Sequence, residues 1–380
     1  MPTPLVDRVR SRLVAQNADA TPALVAAALR AEGLVLGDAA VLELVGELRH
    51  ELVGAGPLEP LLALPGVTDI VVNGPRQVWI DRGSGLERAE ASFSAEADVR
   101  RLAQRLAATA GRRLDDAAPY VDALLPGGAR LHCVLPPVAV DGTLISIRVP
   151  HRVALTLDDL VRRGSVDADG AAVLRDVVGA RLATLVSGGT GSGKTTVLST
   201  LLGLVPATHR IVVVEDSTEL RPDHPHVVRM QARVPNVEGM GAVSLRDLVR
   251  QALRMRPDRL VVGEVRGAEV VDLLAAMNTG HEGGMGTIHA NSPGDVPARL
   301  EALGVSAGLD RDAVHALAAA AIDVVIHLGR VDGARVVQGL HVLERRSDGL
   351  VRTVPAFERQ AGRLSPLAGA DRLRVLLARA

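Results

Sequence analysis

Forty-two arginines and a single lysine, Lys194, make up the 43 basic residues of this 380-residue chain. The two cations are not equivalent in a tight site: an ammonium on a thin four-carbon stem fits where a planar fork cannot. The lysine lies in Gly188-Gly189-Thr190-Gly191-Ser192-Gly193-Lys194-Thr195, which fits the pattern G-x-x-x-x-G-K-[ST]. Such glycines let successive backbone N–H groups converge on a phosphate, and the positive N-terminus of the following helix adds to the attraction. In a loop of this kind the lysine reaches the β- and γ-phosphates and the Thr195 hydroxyl binds Mg²⁺. The expected ligands are therefore ATP and Mg²⁺. They would be held by Gly188, Gly189, Thr190, Gly191, Ser192, Gly193, Lys194 and Thr195, with Thr196 beside them.

Two acidic segments follow. Leu260-Val261-Val262-Gly263-Glu264 reads as an apolar strand ending in a carboxylate, and Glu264 at such an end suits holding Mg²⁺ or orienting water. Val214-Glu215-Asp216-Ser217-Thr218-Glu219 places three carboxylates just beyond another apolar strand. These suit a catalytic base or outer-shell magnesium ligands, with Glu219 as the base; a solvated loop carrying a helix cap is the alternative. Arg266 pairs with phosphate or with an acid, and its spacing does not decide between them. Thr279 to Asn291 concentrates His281 and His289 in a glycine-rich stretch, either a nucleotide-sensing switch or ordinary buried and capped histidines. His224-Pro225-His226 reads as a surface loop rather than a metal clip.

The elements that must position these groups are legible from periodicity. Residues 1–55 read as a helical segment, with Leu5, Val9 and Leu13, then Val41, Leu44, Val45, Leu48 and Leu52, at helical spacing, and with Thr21-Pro22 as a start signal. Residues 56–150 read as a mixed α/β domain. It has strands at 67–72, 77–82, 130–135 and 144–149 and a helix from about Ala95 to Ala110. Residues 151–380 alternate strands and helices: strand 182–187, helix 195–204, strand 210–214, helix 244–255 opened by a Ser244/Asp247 capping box, and strand 260–262. Continuous apolar strands in βαβ order predict an α/β domain with a parallel sheet covered on both faces.

Composition removes other classes. Lys+Arg 43 against Asp+Glu 44 leaves a net charge of −1, so no overall basic field recruits nucleic acid or an anionic membrane. Trp79, Tyr120, Phe93 and Phe357 are the only aromatics, too few for base-stacking platforms, and together these features argue against a nucleic-acid partner. The lone Cys133 excludes an internal disulfide framework and a four-cysteine zinc module. The start, MPTPLVDRVRSRLVAQN, carries charges and no apolar h-region, and the apolar stretch Ala313 to Leu328 is interrupted by His315, Asp323 and His327, so a cytoplasmic protein is expected.

The ordered set of phosphate loop, Glu215-to-Glu219 segment, Gly263-Glu264-Val265-Arg266 and His281-to-His289 loop resembles the Walker A, Asp box, Walker B and His box of the secretion ATPase superfamily. The finer match is to the Tad/Flp pilus-assembly ATPases, similar to CpaF. It is carried by Gly56-Pro57-Leu58-Glu59-Pro60-Leu61, Thr68-Asp69-Ile70-Val71-Val72-Asn73-Gly74-Pro75, Arg256-Pro257-Asp258-Arg259, Ala276-Met277-Asn278-Thr279-Gly280-His281 and Thr287-Ile288-His289-Ala290-Asn291. The resemblance implies a RecA-like P-loop ATPase domain preceded by a mixed α/β N-terminal regulatory domain and an N-terminal helical segment. It implies a homo-hexameric ring, docking on inner-membrane platform proteins of a Tad/Flp pilus system, and hence a peripheral place at the inner face of the cell membrane. Arg130 and Arg148 fall where N-terminal-domain arginines approach the nucleotide phosphates, and His289 joins Lys194, Glu219 and Glu264 in the catalytic set. Two other functions remain open: a conjugative type IV secretion or DNA-transfer motor, and a nucleotide-gated scaffold with little turnover.

Overall fold

The computed structural model describes residues 22–31, 37, 55–83, 85–149, 154–233, 235 and 240–379. The chain divides into two compact units, Met1–His151 and Arg152–Ala380. In the first, a helix spans Pro22–Ala31 and starts at the proline after Thr21. The helical readings at Leu5–Leu13 and Val41–Leu52 lie outside the described residues. Six strands, β1 (Asp69–Asn73), β2 (Val78–Asp81), β3 (Leu86–Arg88), β4 (Tyr120–Leu124), β5 (Arg130–Val134) and β6 (Leu144–Arg148), form an antiparallel sheet in the order β3-β2-β1-β6-β5-β4. Side chains alternate across it. Ile70, Val72, Leu131, Cys133, Ile145 and Ile147 pack with Val99, Leu102 and Leu106 of the helix Glu96–Thr109. Each fully buried aliphatic side chain contributes about 1.5–3 kcal/mol. Strand β4 was not foreseen, because only Val121 and Ala123 mark its buried face.

The second unit is built on nine strands: β7 (Thr184–Gly188), β8 (Ile211–Glu215), β9 (Val227–Gln231), β10 (Arg259–Val265), β11 (Met285–His289), β12 (Val324–Val331), β13 (Ala334–Arg345), β14 (Val351–Gln360) and β15 (Arg363–Pro366). Their order is β15-β14-β13-β12-β7-β11-β10-β8-β9. Alternate residues of one strand feed different cores. Val186 and Val213 pack with Leu174, Leu198 and Leu201 on one face, whereas Leu185, Val212 and Val214 pack with Val249, Leu273 and Leu300 on the other. That double burial is why these strands read as unbroken apolar runs.

The expectation of a parallel sheet holds from β9 to β12 and fails beyond it. Strands β12 to β15 form an antiparallel meander, so the sheet is mixed. The reversal occurs at Asp332-Gly333, both with left-handed φ (+50° and +80°), as a two-residue hairpin turn requires. No described helix is long and apolar enough to cross a membrane; Ala313–Leu328 is split between the helix Arg311–Ala321 and β12.

Candidate functional site

The carboxyl ends of the central parallel strands converge, where open α/β sheets place their ligands. Strand β7 ends at Gly188 and the helix Lys194–Leu202 begins six residues later. Between them the chain turns sharply, with φ of +150° at Gly188, +69° at Gly191 and +97° at Gly193. A Cβ at Gly188 would lie 2.6 Å from both the Leu328 carbonyl and Ser192 Oγ, so only glycine fits there. Ser192 Oγ donates to the Gly189 carbonyl at 2.9 Å. Lys194 is folded over the loop, its Nζ donating to the carbonyls of Gly188 (2.9 Å) and Gly189 (3.0 Å). Burial lowers its pKa, while the fields of Glu264 and Glu219 oppose that shift. Thr190 is exposed and Thr196 half-buried, the latter with its carbonyl accepting from Thr200 Oγ1 at 3.0 Å.

The acids take three different situations. Glu219 stands beside the first turn of that helix, its Oε2 accepting from Thr195 Oγ1 at 3.4 Å. Glu264 is the penultimate residue of β10, close to the strand end that the sequence implied. There two residues, Gly263 and Glu264, oppose the single Thr287 of β11. Such a bulge re-aims a side chain, and Thr287 Oγ1 pins it by donating to the Gly263 carbonyl at 2.7 Å. Arg266, undecided from sequence, pairs with the Glu264 carboxylate.

Glu215 differs again. It is the last residue of β8 rather than part of a solvated loop, and it is 3% exposed. Its Oε1 accepts from the backbone N–H groups of Glu219 (3.0 Å) and Leu220 (2.9 Å), while Oε2 has no partner. Burial pushes its pKa up to about 7. Its stem fills the space a side chain at Gly263 would need, since a Cβ there would sit 2.6 Å from Glu215 Cγ. Glu215 thus shapes the turn that presents Glu219 and buttresses the bulge that presents Glu264.

His281 and His289 do not come together. His281 precedes β11 by four residues and His289 is its last residue, pairing in register with Gly188 at the start of the glycine loop. The glycines between them have packing reasons: a Cβ at Gly283 would fall 1.4 Å from Nη1 of the buried Arg259. Residues passed over in the sequence reading also reach this end. His327 of β12 is buried, its Nδ1 2.9 Å from Ser187 Oγ, and burial lowers its pKa. Arg330 and Arg335, at the tip of the β12–β13 hairpin, donate to the Gly191 carbonyl at 3.3 and 3.0 Å. The Asp332-Gly333 dipeptide between them was the readable signal.

In the first unit, Arg130 and Arg148 face each other across β5 and β6 on the open side of the sheet. Arg130 forms a two-pronged pair with Asp122 (3.1 and 2.6 Å), and Arg148 approaches Asp69 at 3.3 Å. Adjacent like charges are unfavourable, and here each is balanced by its own carboxylate.

A glycine loop, a half-buried lysine, a hydroxyl and two half-buried carboxylates gather near the carboxyl ends of a doubly covered sheet, and they form the candidate site of this α/β unit. Residues 51–351 match the family described as "Type II/IV secretion system protein", and the chain belongs to that family. It is 55% identical over 335 residues to a putative conjugal transfer protein of Mycobacterium tuberculosis, spanning 86% of this chain and 95% of that one. It is 34% identical over 306 residues to the type IV secretion system protein PtlH of Bordetella pertussis, spanning 73% and 89%. In fold it resembles the pilus retraction motor PilT, crystallised with ADP, at a TM-score of 0.53 and 19% identity over 83% of each chain. That likeness is one of α/β fold.

Proposed function

We propose that this protein is a P-loop ATPase that converts ATP and water to ADP and phosphate and uses the energy to drive a secretion or pilus machine. The observation that carries the reading is the assembly of Lys194, Thr195 and Glu219 around one glycine loop. In this role the loop's N–H groups and Lys194 hold the phosphates, and Glu219 takes the proton of the attacking water. Arg130 and Arg148 supply charge from the N-terminal unit, and His289 responds to the state of the nucleotide. The donor set suits a magnesium ion held largely by phosphate and water: Thr195 and Glu264 would contribute, and no cluster of three or more His, Cys, Asp or Glu able to cage a metal exists among the described residues. Such an ion neutralises phosphate charge and aligns the γ-phosphate.

The machine we infer is a homo-hexamer of the Tad/Flp pilus-assembly type, with residues 56–150 regulatory and 151–380 hydrolytic. It would sit in the cytoplasm against inner-membrane platform proteins. The names of the relatives favour a second reading equally, a conjugative or type IV secretion motor. Steady-state phosphate release by the full chain, with and without Mg²⁺, tests the ATPase reading; binding without turnover would make it a nucleotide-gated scaffold. Pilus assembly and plasmid transfer in a deletion strain complemented with Lys194→Ala would decide between the two machines.

A further inference from the structure

Arg330 and Arg335 occupy directly opposed positions on β12 and β13, bracketing the turn at Asp332-Gly333. Two like charges facing each other across a ladder are unfavourable. Arg130 and Arg148, which also face each other across a ladder, each pair with a carboxylate, Asp122 and Asp69. Neither hairpin arginine has a carboxylate within ion-pair distance among the described residues. Both converge instead on one atom, the carbonyl oxygen of Gly191. The loop makes room for them: Arg335 Cδ lies 3.5 Å from where a Cβ on Gly193 would be, and Arg330 Nη2 lies 3.4 Å from one on Gly191.

The direction of that carbonyl matters. In a trans peptide the C=O of Gly191 and the N–H of Ser192 point opposite ways. Two guanidinium donors hold the oxygen on one side, and the Ser192 N–H on the other donates to the Gly189 carbonyl at 3.4 Å, a long contact that a phosphate oxygen in an anion-binding nest would replace. The same two cations add positive charge beside the loop, and neither forms an ion pair among the described residues.

We propose that Arg330 and Arg335 are positioning residues for nucleotide, supplied by the same subunit that carries the phosphate loop. They set the Gly191–Ser192 peptide for phosphate and add positive charge for a nucleoside di- or triphosphate. This rests on the phosphate-loop reading of Gly188–Thr195, but it assigns to a hairpin 139 residues further along the chain a part that the motif does not contain.

The test uses the full-length chain and its Arg330→Gln, Arg335→Gln and double variants, with equilibrium binding of a fluorescent ADP read by anisotropy at two salt concentrations. Each single change should weaken ADP about tenfold, the range for losing a charge-assisted hydrogen bond. The double variant should also show a shallower salt dependence, which a purely structural defect would not produce. Arg335→Lys, which keeps the charge but not the fork, should recover part of the affinity. Melting temperatures without nucleotide should change little, because losing the bonds to the Gly191 carbonyl is offset by removing the repulsion between the two arginines, and neither has an ion pair among the described residues to lose. If wild type binds ADP and the double variant binds it equally well with the same salt dependence, the inference is overturned while the phosphate loop stands. If wild type itself binds no ADP, the phosphate-loop reading fails and the inference fails with it. Should the double variant melt early, the single variants and Arg335→Lys carry the same comparison.

Discussion

Replacing Glu215 by Gln should make the second unit more stable at high pH than at low pH, relative to wild type. The Glu215 carboxyl is 3% exposed, and burial raises its pKa from the ordinary 4.5 to about 7, against the opposing effect of the Glu219 and Leu220 N–H groups. Below pH 4.5 the group is neutral in folded and unfolded chains alike and ionisation costs nothing. Between 4.5 and 7 the unfolded chain loses the proton while the folded one keeps it, so stability falls as pH rises. The full penalty approaches about 3 kcal/mol above pH 7, and most of it develops between pH 5 and pH 8. Glutamine, neutral throughout, does not incur it. For a unit of this size 1 kcal/mol moves the melting temperature by about 2–4 °C, so the variant should gain about 5–10 °C on wild type between those two pH values. Scanning calorimetry of the full-length proteins without nucleotide reads this directly. A constant offset, favourable or not, reports the altered hydrogen bonding and cancels in the difference. If the two proteins track each other in parallel from pH 5 to pH 8, the buried carboxyl is not held neutral and the reasoning is wrong.

Lys194→Arg should nearly abolish phosphate release while leaving the melting profile in place, because a fork cannot lie over the Gly188 and Gly189 carbonyls as the ammonium does; activity within about twofold of wild type would remove the lysine from the mechanism. Glu219→Gln should bind ATP with Mg²⁺ but not hydrolyse it, whereas normal hydrolysis there together with ATP trapping by Glu264→Gln would exchange the two roles. Arg130→Ala and Arg148→Ala should each lower kcat far more than nucleotide affinity, and wild-type rates in assembled rings would leave both as partners of Asp122 and Asp69 only. Mixing Arg148→Ala with Lys194→Ala subunits should restore turnover if the arginine serves a neighbour, and should not if it serves its own subunit.

Much of this protein is local, and what is local was legible. The glycine loop is one contiguous string, Gly188 to Thr195, that turns on its own glycines and leads into the helix Lys194–Leu202, so eight residues sufficed to locate it. The doubly covered strands β7, β8 and β10 announced themselves because burial on both faces demands apolar side chains at every position. The Ser244/Asp247 cap is satisfied within one helical turn, by Asp247 N donating to Ser244 Oγ at 3.2 Å. Other features exist only because distant segments meet. Glu264 is aimed by a bulge that depends on how β10 pairs with β11, and no spacing along one strand encodes the register of its partner. Glu215 looks like its solvated neighbours in sequence; its burial comes from lying against Gly263, 48 residues away. The antiparallel meander follows from a two-residue turn whose short-range signal was outweighed by the preceding βαβ rhythm. That turn brings Arg330 and Arg335 to Gly191 across 139 and 144 residues, a juxtaposition set by strand order rather than by pattern. Local pattern thus named the candidate groups, and the sheet's register and order decided which of them meet.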